Sequence, residues 1–334
     1  MANVLSSLAL TGVIAICTTF LGPLAAAAGT QPLVLKDTIA LPHTGGRIDH
    51  MDIDLARKRL FVAEIGNGSV DIVDLKSGKM IKRISGLDEP QGVVFAPKAD
   101  VLAVGCGGDG TVRLYDGKTY APRGVVKLGD DADDARLDPT TGDIVIAFGD
   151  GGLAVIDPAT AAVVKTIPLP AHPEGFQIAG DRVFANVPDA GQIDVVNLNS
   201  GKHIATWPLG DLSANFPMAL GEDGLIAVGF RSPNVFALFN RADGHMVGRI
   251  ADCGTADDID FDAKWHRYYV SCGSGEIDVF SFSGGTIKSV GHVSTTWGAR
   301  TSLFVPQLDR LFLAVRAGLL FGTNASIRIY QPLP

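Results

Sequence analysis

Charge is scarce in this sequence, and positive charge is scarcer. Charged side chains make up 19% of the 334 residues, with 28 Lys and Arg against 36 Asp and Glu, for a net charge of -8. A chain of that balance does not bind by neutralising phosphates, which excludes nucleic acid as a partner. Cysteine is nearly as rare, with only Cys17, Cys106, Cys253 and Cys272. None stands in a C-x-x-C, a C-x-x-C-H or a zinc-spaced cluster, so thiol redox motifs, attached haem and structural zinc drop out. The seven histidines offer no His-x-His or His-x-x-x-His pair. No Gly-x-Ser-x-Gly elbow presents a nucleophilic serine. Apolar stripes at the helical period are missing after residue 28.

The first 28 residues carry no charged side chain. An apolar run from about Leu8 to Leu21 leads through Gly22-Pro23 into Ala25-Ala26-Ala27-Ala28. This reads as a secretory signal cleaved near Ala27 or Ala28. The run is shorter than the ~20 residues of a spanning helix, which disfavours an uncleaved anchor. Ile16 stands where a lipoprotein site at Cys17 wants a small residue. The expected organisation is a signal peptide over 1–28 and a single domain over 29–334, delivered to the periplasm or secreted, with no membrane span after cleavage. Such a compartment permits disulfides.

Glycine is abundant, at 40 residues, and it punctuates a repeat. A short apolar strand recurs seven times: Leu60-Phe61-Val62-Ala63, Leu102 to Gly105, Ile144 to Ala147, Val183 to Asn186, Ile226 to Gly229, Tyr268 to Ser271 and Leu311 to Ala314. The segments just before them are Asp49-His50-Met51, Gln91-Gly92-Val93, Asp133-Asp134-Ala135, Glu174-Gly175-Phe176, Phe216-Pro217-Met218, Asp257-Asp258-Ile259 and Ala299-Arg300-Thr301. Their successive steps are 42, 42, 41, 42, 41 and 42. A period of about 40–45 residues with four short strands per unit predicts an all-β fold, a seven-bladed β-propeller. The last repeat lacks its outer strand, and Leu33 to Ile39 is patterned like the fourth strands elsewhere. The N-terminal strand is therefore expected to complete the last blade and close the ring. In that frame Cys253 and Cys272 meet on one face of the sixth blade as a candidate disulfide, leaving Cys106 a buried thiol.

Arg59-Leu60-Phe61-Val62-Ala63, Asn67 and Val70-Asp71-Ile72-Val73-Asp74, repeated in the second unit as Pro90 to Val93, Gly107 to Gly110 and Val112 to Asp116, resemble the YVTN-type propeller family, in particular its exported YncE-like members. The resemblance covers nearly all of the chain beyond the signal. It implies a periplasmic propeller acting as a binding or interaction module, and it hands over no catalytic residues. The literal Tyr-Val-Thr-Asn string is absent; Tyr269-Val270-Ser271-Cys272 comes nearest. Only three Trp are present, against the repeated tryptophans of quinoprotein propellers.

The loops leading into the inner strands of a propeller meet around the axial channel. Candidate ligand-binding residues there are Asp49, His50, Gln91, Asp133, Asp134, His172, Glu174, Phe216, Asp257, Asp258 and Arg300. Crowded carboxylates shift one another's proton affinities or hold a cation. Asp49, His50, Asp134, Glu174 and Asp257 are accordingly candidate ligands for a divalent metal, Ca²⁺, Mg²⁺, Zn²⁺ or Mn²⁺. His50, Asp134 and Glu174 are the candidate catalytic groups of a metal-assisted, lactonase-like hydrolase or lyase. The bland reading is that these acids only set turns by accepting backbone N–H groups. Arg300 stands out as a base that could take a carboxylate or phosphate, Phe216 as an aromatic among small or polar neighbours, and Arg231, after an apolar strand of the fifth blade, could also face the rim, though a solvated surface position is expected. The loop 316–324, with Leu319, Leu320 and Phe321, is expected to form a lid or partner patch, or to fold back on its blade. The expected partners are a small molecule or peptide, or an envelope protein, bound by a monomer.

Overall fold

A computed structural model describes residues 31–318 and 324–334. The expected signal peptide and residues 319–323 of the seventh-blade loop lie outside the described residues. No helix among the described residues is long and apolar enough to cross a membrane.

Each repeat folds as one antiparallel four-stranded sheet with consecutive strands side by side, and there are seven such sheets. In the first blade the strands are Met51–Asp54, Arg59–Glu64, Ser69–Asp74 and Lys79–Ser85, running from the channel outward. Burial follows that order. Leu60, Phe61, Val62 and Ala63 are fully buried, whereas Lys79–Ser85 is mostly exposed. A middle strand is apolar on both faces because a neighbouring blade covers each of them. The core is consequently a set of wedges between blades. One of them packs Phe61 and Ile72 of the first blade against Val93, Phe95 and Leu102 of the second.

The ring closes as the sequence predicts. Leu33–Leu41 pairs antiparallel with Ala325–Pro332, from Leu33 opposite Pro332 to Leu41 opposite Ala325. The architecture is therefore an all-β seven-bladed propeller. Cys253 and Cys272 form a disulfide with a Cα–Cα distance of 5.8 Å, and Cys106 is a buried free thiol.

Polar staples join inner strands one repeat apart. Asp52 accepts the Phe95 N–H at 2.6 Å, and Asp258 accepts the Ser302 N–H at 2.8 Å. Asp260 accepts the Phe304 N–H at 2.9 Å and the Ser302 hydroxyl at 3.0 Å, and the Gln177 amide donates to the Met218 carbonyl at 2.8 Å.

The seventh blade corrects the alignment by one residue. Met51 lies opposite Val62, Ile259 opposite Val270, and Ser302 opposite Leu313. Since Leu313 holds the place of Val62, Ser302 holds that of Met51. The Ala63 N–H to His50 carbonyl bond likewise recurs as Ala314 to Thr301. The last step is thus 43 residues, from Asp257 to Arg300 rather than to Ala299. The gain is net: the sixth blade's outer hairpin, over 276–294, is two residues longer than the first blade's over 69–85, and the turn before it is one shorter.

Candidate binding site at the channel mouth

With that register, one position per blade forms a ring, two residues before the Met51 column: Asp49, Gln91, Asp133, Glu174, Phe216, Asp257 and Arg300. All seven line one cavity of about 870 Å³ that continues down the channel to Leu55, Ala56 and Leu137. His50, Asp134, His172 and Asp258 line it too, so the structure brings every candidate ligand-binding residue to one void. His43, from the same class of loop, is exposed and lies outside this lining.

The ring carboxylates differ from the staples below them. Among the described residues, no backbone N–H is hydrogen-bonded to the carboxylates of Asp49, Asp133, Glu174 or Asp257; their partners, where present, are side chains. The Arg47 guanidinium bonds Asp49 at 2.8 Å and the Gln91 side chain at 3.3 Å. His50 Nε2 lies 3.7 Å from Asp133 and 3.9 Å from Asp134. His172 donates from Nδ1 to the Gly149 carbonyl at 2.7 Å and presents Nε2 to Asp133 at 3.9 Å. Asp134 is taken by the Arg136 guanidinium and the Phe176 N–H. Glu174 has neither a hydrogen bond nor an ion pair to its carboxylate among the described residues.

The far side of the mouth carries two arginines. Asp257 lies between two arginines, paired with the Arg231 guanidinium and with Arg300 Nε at 2.7 Å. Arg231 also donates from Nε to the Ala256 carbonyl at 2.8 Å, and its guanidinium stacks 3.8 Å above the Phe216 ring. Arg231 is therefore no solvated surface residue but part of the lining. It hangs from a second strand, Leu225–Ser232, that runs two residues longer than its counterpart Arg59–Glu64. That break in the repeat was the signal for it.

Proton affinities follow from this crowding. Burial opposes the imidazolium of His50, yet Asp134, Asp49, Asp133 and Asp258 together outweigh it and lift the pKa to about 9. The nearby Asp133 carboxylate lifts His172 to about 9 as well, against burial. Burial, then the charge of Asp133, pushes Glu174 up to about 7. Burial raises Asp133 and Asp257 despite their cationic neighbours. At neutral pH His50 thus holds its proton. Glu174 is the group poised to exchange a proton near pH 7.

The metal expectation is narrowed in the same way. The ligand atoms of Asp49, His50 and Asp133 lie within 4.8 Å of one another, a group that does not include Asp134, Glu174 or Asp257. Asp133 Oδ1 is buried without a hydrogen-bond partner, as an acceptor awaiting a cation would be. His50, however, would have to surrender its proton to ligate one.

The fold and this mouth define a class: a seven-bladed propeller with a charged, ligand-sized opening. No protein-family model matches the chain, and no curated protein matches it. Among solved structures 1796 chains match. One is a chain in the crystal structure of the mitotic checkpoint complex, 14% identical, with a TM-score of 0.77 over 97% of this chain and 99% of that one. At that identity the likeness is one of fold alone.

Proposed function

We propose that this chain is an exported propeller of the YVTN type that binds a small ligand at its channel mouth. What carries the reading is the division of labour among its acids. Asp52, Asp258 and Asp260 spend oxygens on backbone amides, as scaffold residues do. All seven acids line one cavity of ligand size, but Asp49, Asp133, Glu174 and Asp257 spend no oxygen on a backbone amide among the described residues, which leaves them to meet what enters it. The disulfide and the uncharged first 28 residues support export. The test is calorimetric titration of the purified protein with small charged and zwitterionic compounds, beside the Asp133→Asn/Arg300→Gln variant. A true mouth ligand loses at least about tenfold in affinity in the variant, roughly 1.4 kcal/mol. Binding that the variant leaves unchanged refutes the reading.

A second reading is favoured by the Asp49–His50–Asp133 group and by the orphaned Asp133 oxygen. Here a divalent metal sits at the mouth, and Glu174 moves protons in a hydrolase or lyase step. Elemental analysis of protein prepared without chelator decides it. One equivalent of metal, lost in Asp49→Asn/Asp133→Asn, supports the metal; metal-free protein that takes up none of the four cations excludes it.

A further inference from the structure

The mouth is polar in the literal sense, because its unspent groups are sorted by blade. On blades one to four the acids are largely matched: Asp49 by Arg47, Asp134 by Arg136, and Asp133 by His50 and His172 at longer range. What remains there is Glu174 and the buried Asp133 Oδ1. Beside them a smaller pocket of about 290 Å³ adds Glu89, Asp130 and Asp150 and shares Asp131 and His172 with the main cavity. On blades five to seven two arginines share Asp257, while Asp258 and Asp260, which line the same cavity, are held by the Ser302 and Phe304 amides.

The donors left over on that side are specific ones. Each guanidinium carries five N–H groups in a planar fork. Arg300 uses Nε on Asp257, and among the described residues its two terminal nitrogens have no partner. Arg231 spends Nε on Ala256 and one terminal nitrogen on Asp257, leaving the other. Parallel terminal N–H groups are what a carboxylate takes up. Phe216 stands between Glu174 and Asp257 in ring order, an apolar step between the two charged stations.

We infer that the mouth takes a small zwitterion, its carboxylate on the free guanidinium nitrogens of Arg231 and Arg300, its ammonium on Glu174 and Asp133, and its short apolar span against Phe216. This rests on the reading of the mouth as a small-ligand site. It goes beyond that reading in requiring both charges on one molecule, because one-ended ligands would leave Glu174 or the arginine nitrogens unmet in a half-buried setting.

The experiment is calorimetric titration at pH 8 with ω-amino carboxylates of two to eight carbons. Alkanoates and alkylamines of matching length serve as one-ended controls. One length in the series should bind at least tenfold tighter than both of its controls. Arg300→Gln should erase its advantage over the amine, and Glu174→Gln its advantage over the alkanoate, with thermal unfolding unchanged in both. Arg300→Lys, which keeps the charge and loses the fork, should fall between wild type and Arg300→Gln. One-ended probes that bind as tightly as the zwitterions, or uptake of divalent metal alone, would overturn this inference and leave the mouth a ligand site. No binding by any of these probes or metals would remove both.

Discussion

His50 and its neighbours show how single residues at this mouth depend on company. An imidazole held at about 9 by Asp134, Asp49, Asp133 and Asp258 is charged wherever those acids are. Its folded pKa lies above the unfolded value of about 6.5. The stability it lends is therefore complete below pH 6.5 and is lost as pH rises through about 9. Thermal unfolding from pH 6 to pH 10 should fall in wild type, and His50→Gln should flatten that decline by a contribution on the order of 2 kcal/mol. An unaltered decline in the variant would show that the ion cluster does not stabilise the fold. None of this was legible in the sequence beyond the presence of the residues. Asp133 and Asp134 are adjacent and chemically identical, yet one faces the cavity with an orphaned oxygen and the other bonds Arg136 and the Phe176 amide. The repeat brought both to the mouth, and the path of the backbone sorted them.

At the scale of strands, the repeat was legible because every blade needs the same apolar middle strand and the same turns. The register of the last blade was not. Counting from one loop column to the next hid the net residue gained around the hairpin Glu276–Ser283 and Thr286–Ser294. Strand pairing exposes it, since Ile259 lies opposite Val270 and its counterpart Ser302, 43 residues on, opposite Leu313. The correction moves Arg300 into the ring of Asp49 and Asp257, where a cation has consequences. The inner strands also explain how neighbouring blades keep their spacing. Asp260 holds the amide of Phe304 and the hydroxyl of Ser302 across the sixth and seventh blades. Asp260→Ala strands a buried N–H and should cost about 1–3 kcal/mol in urea unfolding. Asp49→Asn, in the ring, should cost less than half as much. Equal losses would erase the distinction between scaffold and site drawn from their hydrogen bonds.

For the molecule as a whole, the N-terminal strand does what no other strand does. Leu33–Leu41 covers Ala325–Pro332, burying Leu33, Ile39 and Leu41. A chain beginning at residue 42 would leave that neighbour with a bare row of backbone donors and acceptors. Such a truncation should self-associate, read as a mass above that of a monomer by light scattering; a stable monomer would mean that three strands suffice for the last blade. Closure was legible from the missing fourth strand in the last repeat. The sorting of charge around the ring was not, because it depends on Arg231, which obeys no period.

That closing pair also sets a clock. Leu33 is among the first of the described residues along the chain, and its partner Pro332 is among the last. Six blades can form from residues near one another in the chain, but the seventh must join Leu33–Leu41 to Ala325–Pro332 and bears the largest loop-closure entropy. Until then the chain is an open arc, its two end blades lacking the faces that would cover them. An arc is also looser than a ring. The channel mouth needs Asp49 from one end blade and Arg300 from the other, so it is complete only once the ring has closed. Ligand competence and closure of the ring are thus one event.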